Sequence, residues 1–156
     1  MLSDILRPEL VKVELEAESR REAIGELVDH LVQHHEISYA LRDHALEAVL
    51  EREERFVTGM EHGIAVPHGI TDRVEDLICA LGVSRAGVPY GTRDGKMAHL
   101  VVLLLVPKRN YAGEIRLLAD IEQLLESSEL REAILNAGDA VQIYEEILAA
   151  EKGMAA

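Results

Sequence analysis

Several residue types are scarce in this sequence, and each shortage excludes a class of protein. The 156 residues include one cysteine, Cys79, so the chain cannot form an intrachain disulfide or a cysteine-based zinc site. There is no tryptophan, one phenylalanine and four tyrosines, so the core must consist of aliphatic side chains. Because Cys79 lies within an apolar run at residues 77–81, we expect a buried, unreactive thiol.

Positive charge is scarce as well. The chain has 16 lysines and arginines against 29 aspartates and glutamates, a formal net charge of −13. Nucleic acids and anionic lipids are bound by clustered cations, so we expect neither partner. The longest apolar run, residues 100–106, is seven residues long, whereas a membrane-spanning helix needs about 20. The N-terminus has no cationic segment before an apolar one. We therefore expect a cytoplasmic protein with no direct membrane insertion.

Apolar spacing predicts a single layered α/β domain over residues 1–156. Strict alternation or short apolar runs predict four strands, at residues 11–16, 64–66, 77–83 and 100–106. The last is apolar at every position, as expected for a strand covered on both faces. Helical spacing predicts five helices, two over about residues 20–34 and 39–54 and three beyond Asn110. Ser19 with Glu22 has the spacing of a capping box at the start of the first.

Seven histidines are the candidates for reactive or metal-binding side chains. Four occupy polar positions on or near the first two helices and are predicted to be solvated, with weak metal binding by the adjacent pair as the alternative: His30, His34, His35 and His44. His99 lies at the start of a predicted strand and is expected to be a capping or edge residue, with a reactive role as the alternative. His62 and His68 have no third ligand at a recognisable spacing, so no metal site is expected.

His68 differs from the other histidines in its setting. A short apolar strand runs directly into Pro67-His68-Gly69, in which proline restricts the backbone before the imidazole and glycine frees it afterwards. Such a histidine is expected at a strand end, exposed for reaction yet held in orientation. Imidazole is a good nucleophile at neutral pH, and phosphohistidine transfers its phosphoryl group readily. On this local pattern alone, a turn histidine without a chemical role remains the alternative.

A longer pattern surrounds His68. It consists of Arg52-Glu53, then Thr58-Gly59, then Gly63-Ile64-Ala65-Val66-Pro67-His68-Gly69. These residues and spacings resemble the active-site region of the mannitol/fructose-type enzyme IIA family of the bacterial phosphotransferase system, which includes the nitrogen-regulatory IIA proteins. The resemblance extends from about Leu2 to Leu148 and includes Asp94-Gly95, the strand that ends at Pro107, and Leu117-Leu118-Ala119. It implies a mixed sheet of about five strands with helices on both faces, and no metal or organic cofactor.

The resemblance also implies roles for individual residues. His68 matches the phosphoacceptor, which takes phosphate on Nε2 from the phosphohistidine of the carrier protein HPr. Arg52 matches an arginine near it, whose guanidinium could bind the phosphoryl oxygens bidentately and stabilise the transition state. Four further signature residues are expected to support the site: Thr58, Gly63, Pro67 and Gly69. Such a chain is a phosphotransferase component rather than a free-standing enzyme.

One position departs from the family pattern. The family carries a second histidine, within a His-Leu-x-x-Leu pattern, where this chain has Glu114-Ile115-Arg116-Leu117-Leu118. An imidazole can donate a hydrogen bond to phosphate, whereas an ionised carboxylate cannot and repels it. Three outcomes follow: His62 or Arg116 replaces the donor, Glu114 orients His68 by accepting its Nδ1–H, or phosphotransfer is impaired.

Two functions are therefore open at this stage. In the first, the chain relays phosphate from HPr through His68 to a separate IIB protein or uses it as a regulatory signal. In the second, it is a regulatory module that binds a protein target, with phosphorylation weakened by Glu114.

Overall fold

The structure, a computed structural model, describes residues 1–55 and 59–155 and, within them, the side chains at all positions except 110–112, 115 and 155. The strands are β1 (Val11–Lys12), β2 (Ile64–Ala65), β3 (His68–Thr71), β4 (Ile78–Val88) and β5 (Ala98–Pro107). The helices are α1 (Leu2–Ile5), α2 (Arg20–Gln33), α3 (Arg42–Arg55), α4 (Tyr111–Leu125), α5 (Ser128–Asn136) and α6 (Ala140–Ala155). The expected α/β class is confirmed.

The sheet is mixed, with strand order β1-β4-β5-β2 and β3 paired to β5 beyond β2. β4 and β5 are antiparallel, whereas β1 runs parallel to β4, and both β2 and β3 run parallel to β5. Residues 100–106 of β5 are all buried, which confirms the prediction from their uninterrupted apolar sequence. Burial of each such leucine or valine stabilises the fold by about 1.5–3 kcal/mol.

α2 has the cap and the inner face that its sequence predicts. The Ser19 hydroxyl accepts a hydrogen bond from the backbone N–H of Glu22 at 3.2 Å, which satisfies one of the free donors of the first turn. The buried face consists of Ala23, Ile24, Leu27, Val28 and Leu31. The predicted helix over 39–54 begins later, at Arg42, because Tyr39–Leu41 form a 3₁₀ turn.

The strand predicted over residues 11–16 is wrong beyond Lys12. The backbone N–H groups of Glu16 and Ala17 donate to the Glu26 carboxylate, at 3.0 and 2.9 Å, instead of to a neighbouring strand. Leu15 still donates its N–H to the carbonyl of Val83 at 2.7 Å. The alternating sequence of residues 11–16 thus reflects which side chains are buried. Beyond Lys12, however, the Glu26 carboxylate of α2 accepts backbone hydrogen bonds that a neighbouring strand would otherwise accept.

β3 is a strand that the sequence pattern does not predict, because the Pro67-His68-Gly69 segment indicates a turn. The structure continues the edge of the sheet through it: β2 pairs with Leu100 and Val101, and β3 resumes opposite Leu104. Proline has no N–H to donate, but the Pro67 carbonyl still accepts from the N–H of Leu104 at 3.0 Å. His68 is therefore the first residue of a strand rather than the last of one.

Cys79 lies in β4 and is fully buried, as predicted. Burial raises the pKa of its thiol, since the thiolate would lose its hydration. Over the described residues, none of the helices combines the length and apolar character that crossing a membrane requires.

Candidate functional site

His68 is held at the start of β3 by a contact to its own backbone. Its Nδ1 lies 2.9 Å from the carbonyl oxygen of Val66. Because a carbonyl only accepts, Nδ1 must carry a proton, and Nε2 is the nitrogen left for chemistry. The residue is 4% exposed, so the expected exposed histidine is instead buried. Val66 was missed as a site residue; its place before Pro67 favours the extended backbone of this contact.

β3 lies unusually close to α3. A β carbon on Gly69 would lie 2.9 Å from the backbone nitrogen of Val49 and 3.0 Å from the carbonyl carbon of Ala48. Only glycine permits this approach. Gly69 therefore packs against the middle of α3, and this contact fixes the position of the neighbouring His68 relative to that helix.

Glu114 lies in the first turn of α4 and meets His68 directly. Its Oε1 is 3.0 Å from the His68 Nε2, and Glu114 is 3% exposed. The two atoms are in ion-pair range, yet their alignment falls short of a regular hydrogen bond. Among the described residues neither atom has another hydrogen-bond partner. The nitrogen that the resemblance assigns to phosphate is therefore covered by a carboxyl group.

This contact restricts where the protons of the pair can lie. With Nδ1–H committed to Val66, a neutral His68 would point its Nε2 lone pair at an ionised carboxylate, and both atoms would stay unsatisfied. A buried unsatisfied polar group costs about 1–3 kcal/mol. One additional proton between Nε2 and Oε1 removes the repulsion and satisfies both. The alternative in which Glu114 accepts the Nδ1–H of His68 is wrong, because Val66 occupies that position.

Neither alternative donor lies at Nε2. His62 is exposed and precedes Gly63, whose carbonyl accepts from the N–H of His99, whereas His68 pairs with Leu104. Those two positions of β5 are about 16 Å apart at about 3.3 Å per residue. Arg116 is exposed and follows Glu114 by two residues, which places it on another face of α4.

Arg52 lies in the last turn of α3 and is half-buried. It lines a groove of about 360 Å³ between α3 and β3, together with His44, Glu51, Arg55 and Ile70. The Nε2 of His44, another residue of this groove, lies 2.7 Å from the Thr71 hydroxyl. Arg52 is thus on the helix that packs against the strand of His68, and its role in phosphoryl binding stays a prediction.

The supporting residues of the signature have different structural roles. Gly63 has φ +76°, a left-handed conformation, and a β carbon there would lie 3.1 Å from the Met97 carbonyl oxygen. Pro67 interrupts the strand ladder between β2 and β3. Thr58 lies outside the described residues.

Glu114 also lines a second cavity. This cavity has a volume of about 380 Å³, and its other lining residues include Met1, Asp4, Ile5, Val106, Arg109 and Leu117. Glu114 therefore borders open space as well as His68. Within residues 1–55 and 59–155, no three His, Cys, Asp or Glu side chains are grouped closely enough to hold a metal ion.

The chain matches known proteins over nearly all of its length. Residues 4–150 match the family "Phosphoenolpyruvate-dependent sugar phosphotransferase system, EIIA 2". The PTS system fructose-specific EIIA component of Haloferax volcanii is 32% identical over 148 residues, which are 95% of this chain and 94% of that protein. The chain therefore belongs to the type-2 EIIA family of the phosphotransferase system, as the signature indicates.

Two further similarities mark the range of the family. A nitrogen regulatory protein of Bradyrhizobium diazoefficiens is 27% identical over 143 residues, 92% of each chain. The same fold occurs in a solved complex of enzyme IIAMtl with phosphorylated enzyme IIBMtl from Escherichia coli. That similarity has a TM-score of 0.76 at 22% identity, and it covers 92% of this chain and 97% of that one.

Proposed function

We propose that this protein is a phosphohistidine carrier in which Nε2 of His68 accepts a phosphoryl group from the phosphohistidine of HPr. The observation that carries the proposal is the Nδ1–Val66 contact, since it commits Nδ1 and leaves Nε2 as the ring nitrogen that can bond to phosphorus. The same nitrogen lies beside the first turn of α4. Unpaired backbone N–H groups and the helix dipole favour a phosphate at such a position.

Arg52 is the proposed cationic partner of the transferring group. Charge in the transition state is spread over three equatorial oxygens, and a guanidinium can contact two of them at once. Its place on α3, which Gly69 holds tightly against β3, would keep it at a constant position relative to His68. Phosphate then passes to a separate IIB protein, in line with the complex solved for the Escherichia coli IIA.

The test is reconstitution with phosphoenolpyruvate, enzyme I and HPr, followed by intact-mass measurement of a single phosphoryl addition. His68→Ala should abolish the acid-labile, base-stable phosphorylation. His62→Ala is the matched control because His62 is exposed in the turn before β2. The His62→Ala protein should be phosphorylated to the same extent as the wild type. Full phosphorylation of His68→Ala would remove His68 as the acceptor.

A second candidate function is a regulatory module that acts on a protein target, with phosphorylation weakened. It is favoured by one observation, the Glu114 carboxyl group 3.0 Å from Nε2, and by the similarity to a nitrogen regulatory protein. The phosphorylated protein discriminates between the two. Rapid loss of its phosphoryl group to a IIB cysteine supports the carrier. Retention of the group, with target binding that changes on phosphorylation, supports the regulator.

A further inference from the structure

We infer that Glu114 makes phosphorylation of His68 dependent on a proton: the proton shared by Nε2 and Oε1 moves fully onto the Glu114 carboxyl group as Nε2 bonds to phosphorus. The resulting carboxylic acid then donates a hydrogen bond to the phosphoryl group. Glu114 thereby supplies, in its protonated form, the donor that an ionised carboxylate cannot supply. This inference rests on the proposed function, in which His68 is the acceptor.

Three features of the pair support a shared proton. The atoms are 3.0 Å apart, and both side chains are at least 95% buried. Over the described residues neither atom has a competing hydrogen-bond partner. The Nδ1 proton cannot serve, because it is held by the Val66 carbonyl. In the resting protein the first turn of α4 favours negative charge on Glu114.

The transfer step balances without loss of a proton to solvent. The Nε2 electron pair forms a bond to phosphorus while the bond from phosphorus to the donor nitrogen breaks, and the donor nitrogen keeps that electron pair. The shared proton passes from Nε2 to Oε1 of Glu114, and Nδ1 keeps its own proton. The product has a cationic imidazole ring, still protonated on Nδ1, that carries a dianionic phosphoryl group beside a neutral carboxylic acid; an ionised Glu114 would instead place a second anion in contact with the phosphoryl oxygens.

The side chain has room for this change. Once Nε2 carries phosphorus, Glu114 must shift by roughly the width of the phosphoryl group, and the cavity of about 380 Å³ beside it can accept the displaced carboxyl. Glu114 then lies next to the phosphoryl oxygens rather than next to the nitrogen.

Other charged groups near the pair have partners of their own or lie on neighbouring elements. From α1, the Met1 amino group is paired with Asp4 at 3.1 Å. From the turn after β5, Arg109 donates to the Glu75 carbonyl at 2.7 Å, beside Lys108. α3, which packs against β3, carries Arg52, the buried Glu53, and His44, which contacts Thr71. α5 meets α4 at its far end, where Arg131 donates to the Leu125 carbonyl.

The experiment compares wild type with Glu114→Gln, whose amide has an N–H donor at every pH and cannot titrate. Both are phosphorylated with phosphoramidate, a small donor that needs no partner protein, between about pH 5 and about pH 9. We expect the ratio of the wild-type rate to the variant rate to fall with rising pH, approaching about tenfold per pH unit once the shared proton is lost. The ratio cancels the titration of the donor.

The matched control is Glu151→Gln, which replaces another buried glutamate, one whose carboxylate accepts from the Ser3 N–H instead of meeting His68. Its rate ratio to wild type should not change with pH. ¹⁵N NMR of the unphosphorylated protein tests the pair independently. The His68 Nε2 signal should respond to the Glu114→Gln substitution, because the amide cannot share a proton with Nε2. His44, the other histidine near the site, is assigned separately.

The possible outcomes separate the two proposals. A rate ratio that is constant with pH, with His68 phosphorylated in both proteins, overturns the proton relay and leaves the carrier function intact. An Nε2 signal that titrates identically in wild type and Glu114→Gln also overturns the relay. If neither protein is phosphorylated on His68 by phosphoramidate or by HPr, the carrier function fails and the relay fails with it.

Discussion

Gly69→Ala should destabilise the protein through one steric conflict between β3 and α3. The added β carbon would lie 2.9 Å from the Val49 nitrogen and 3.0 Å from both the Ala48 carbonyl carbon and the Val49 Cγ2. Two of these atoms belong to the helix backbone and cannot rotate away. Gly69 is not one of the glycines with positive φ, so the expected effect comes from crowding and not from backbone strain.

The size of the effect follows from two opposing contributions. Overpacking of a well-packed site costs about 1–3 kcal/mol. Alanine also restricts the unfolded chain more than glycine does, which returns about 0.4–1 kcal/mol. We therefore expect a net loss of about 1–2 kcal/mol in the free energy of unfolding. For a chain of this size that corresponds to a Tm lower by roughly 2–8 °C.

Urea denaturation measures this loss directly, as a lower midpoint at an unchanged m-value. Gly25→Ala is the matched control, because Gly25 lies within α2 and its added β carbon would meet nothing within 4 Å. That substitution should stabilise the helix by about 0.5–1 kcal/mol. If Gly69→Ala proves as stable as Gly25→Ala, the close approach of β3 to α3 is not a real constraint. A shifted α3 would also move Arg52, so Gly69→Ala should be phosphorylated more slowly.

Three further predictions concern the site and pH. Arg52→Ala should slow phosphorylation by about 10²–10³-fold. Arg52→Lys should slow it by less, because lysine keeps the charge but loses the planar fork. Equal rates for Arg52→Ala and wild type would place the arginine outside the transfer step. Glu114→His should raise the phosphorylation rate at alkaline pH, since a neutral imidazole still donates a hydrogen bond; a slower variant would count against the role of Glu114. Burial lowers the pKa of His30 below its ordinary value of 6.5, partly opposed by its hydrogen bond to the Glu9 carbonyl. The folded protein thus binds fewer protons than the unfolded chain, so stability should rise as pH approaches 6.5 from below; urea midpoints of His30→Gln should lack that part of the rise.

Some elements can be predicted from the sequence alone, because they depend on interactions between neighbouring residues or on a simple pattern of apolar residues. The cap of α2 at Ser19 needs only a hydroxyl three residues before a free backbone N–H. The buried β5 needs only an uninterrupted apolar run. The position of His68 within a specific glycine- and proline-containing signature, and with it the family, is also a property of the sequence alone.

The tertiary structure decided the features that depend on distant partners. β3 forms because its backbone pairs with that of β5 from Leu104 onward. The four residues of β3 show no periodicity that would predict a strand. β1 ends at Lys12 because the Glu26 carboxylate, from another element, takes the next backbone donors. The sequence leaves open which nitrogen of His68 meets Glu114, because 46 positions separate them. Only the packing of α4 over the start of β3 brings the carboxyl group to Nε2, while the Val66 carbonyl holds Nδ1.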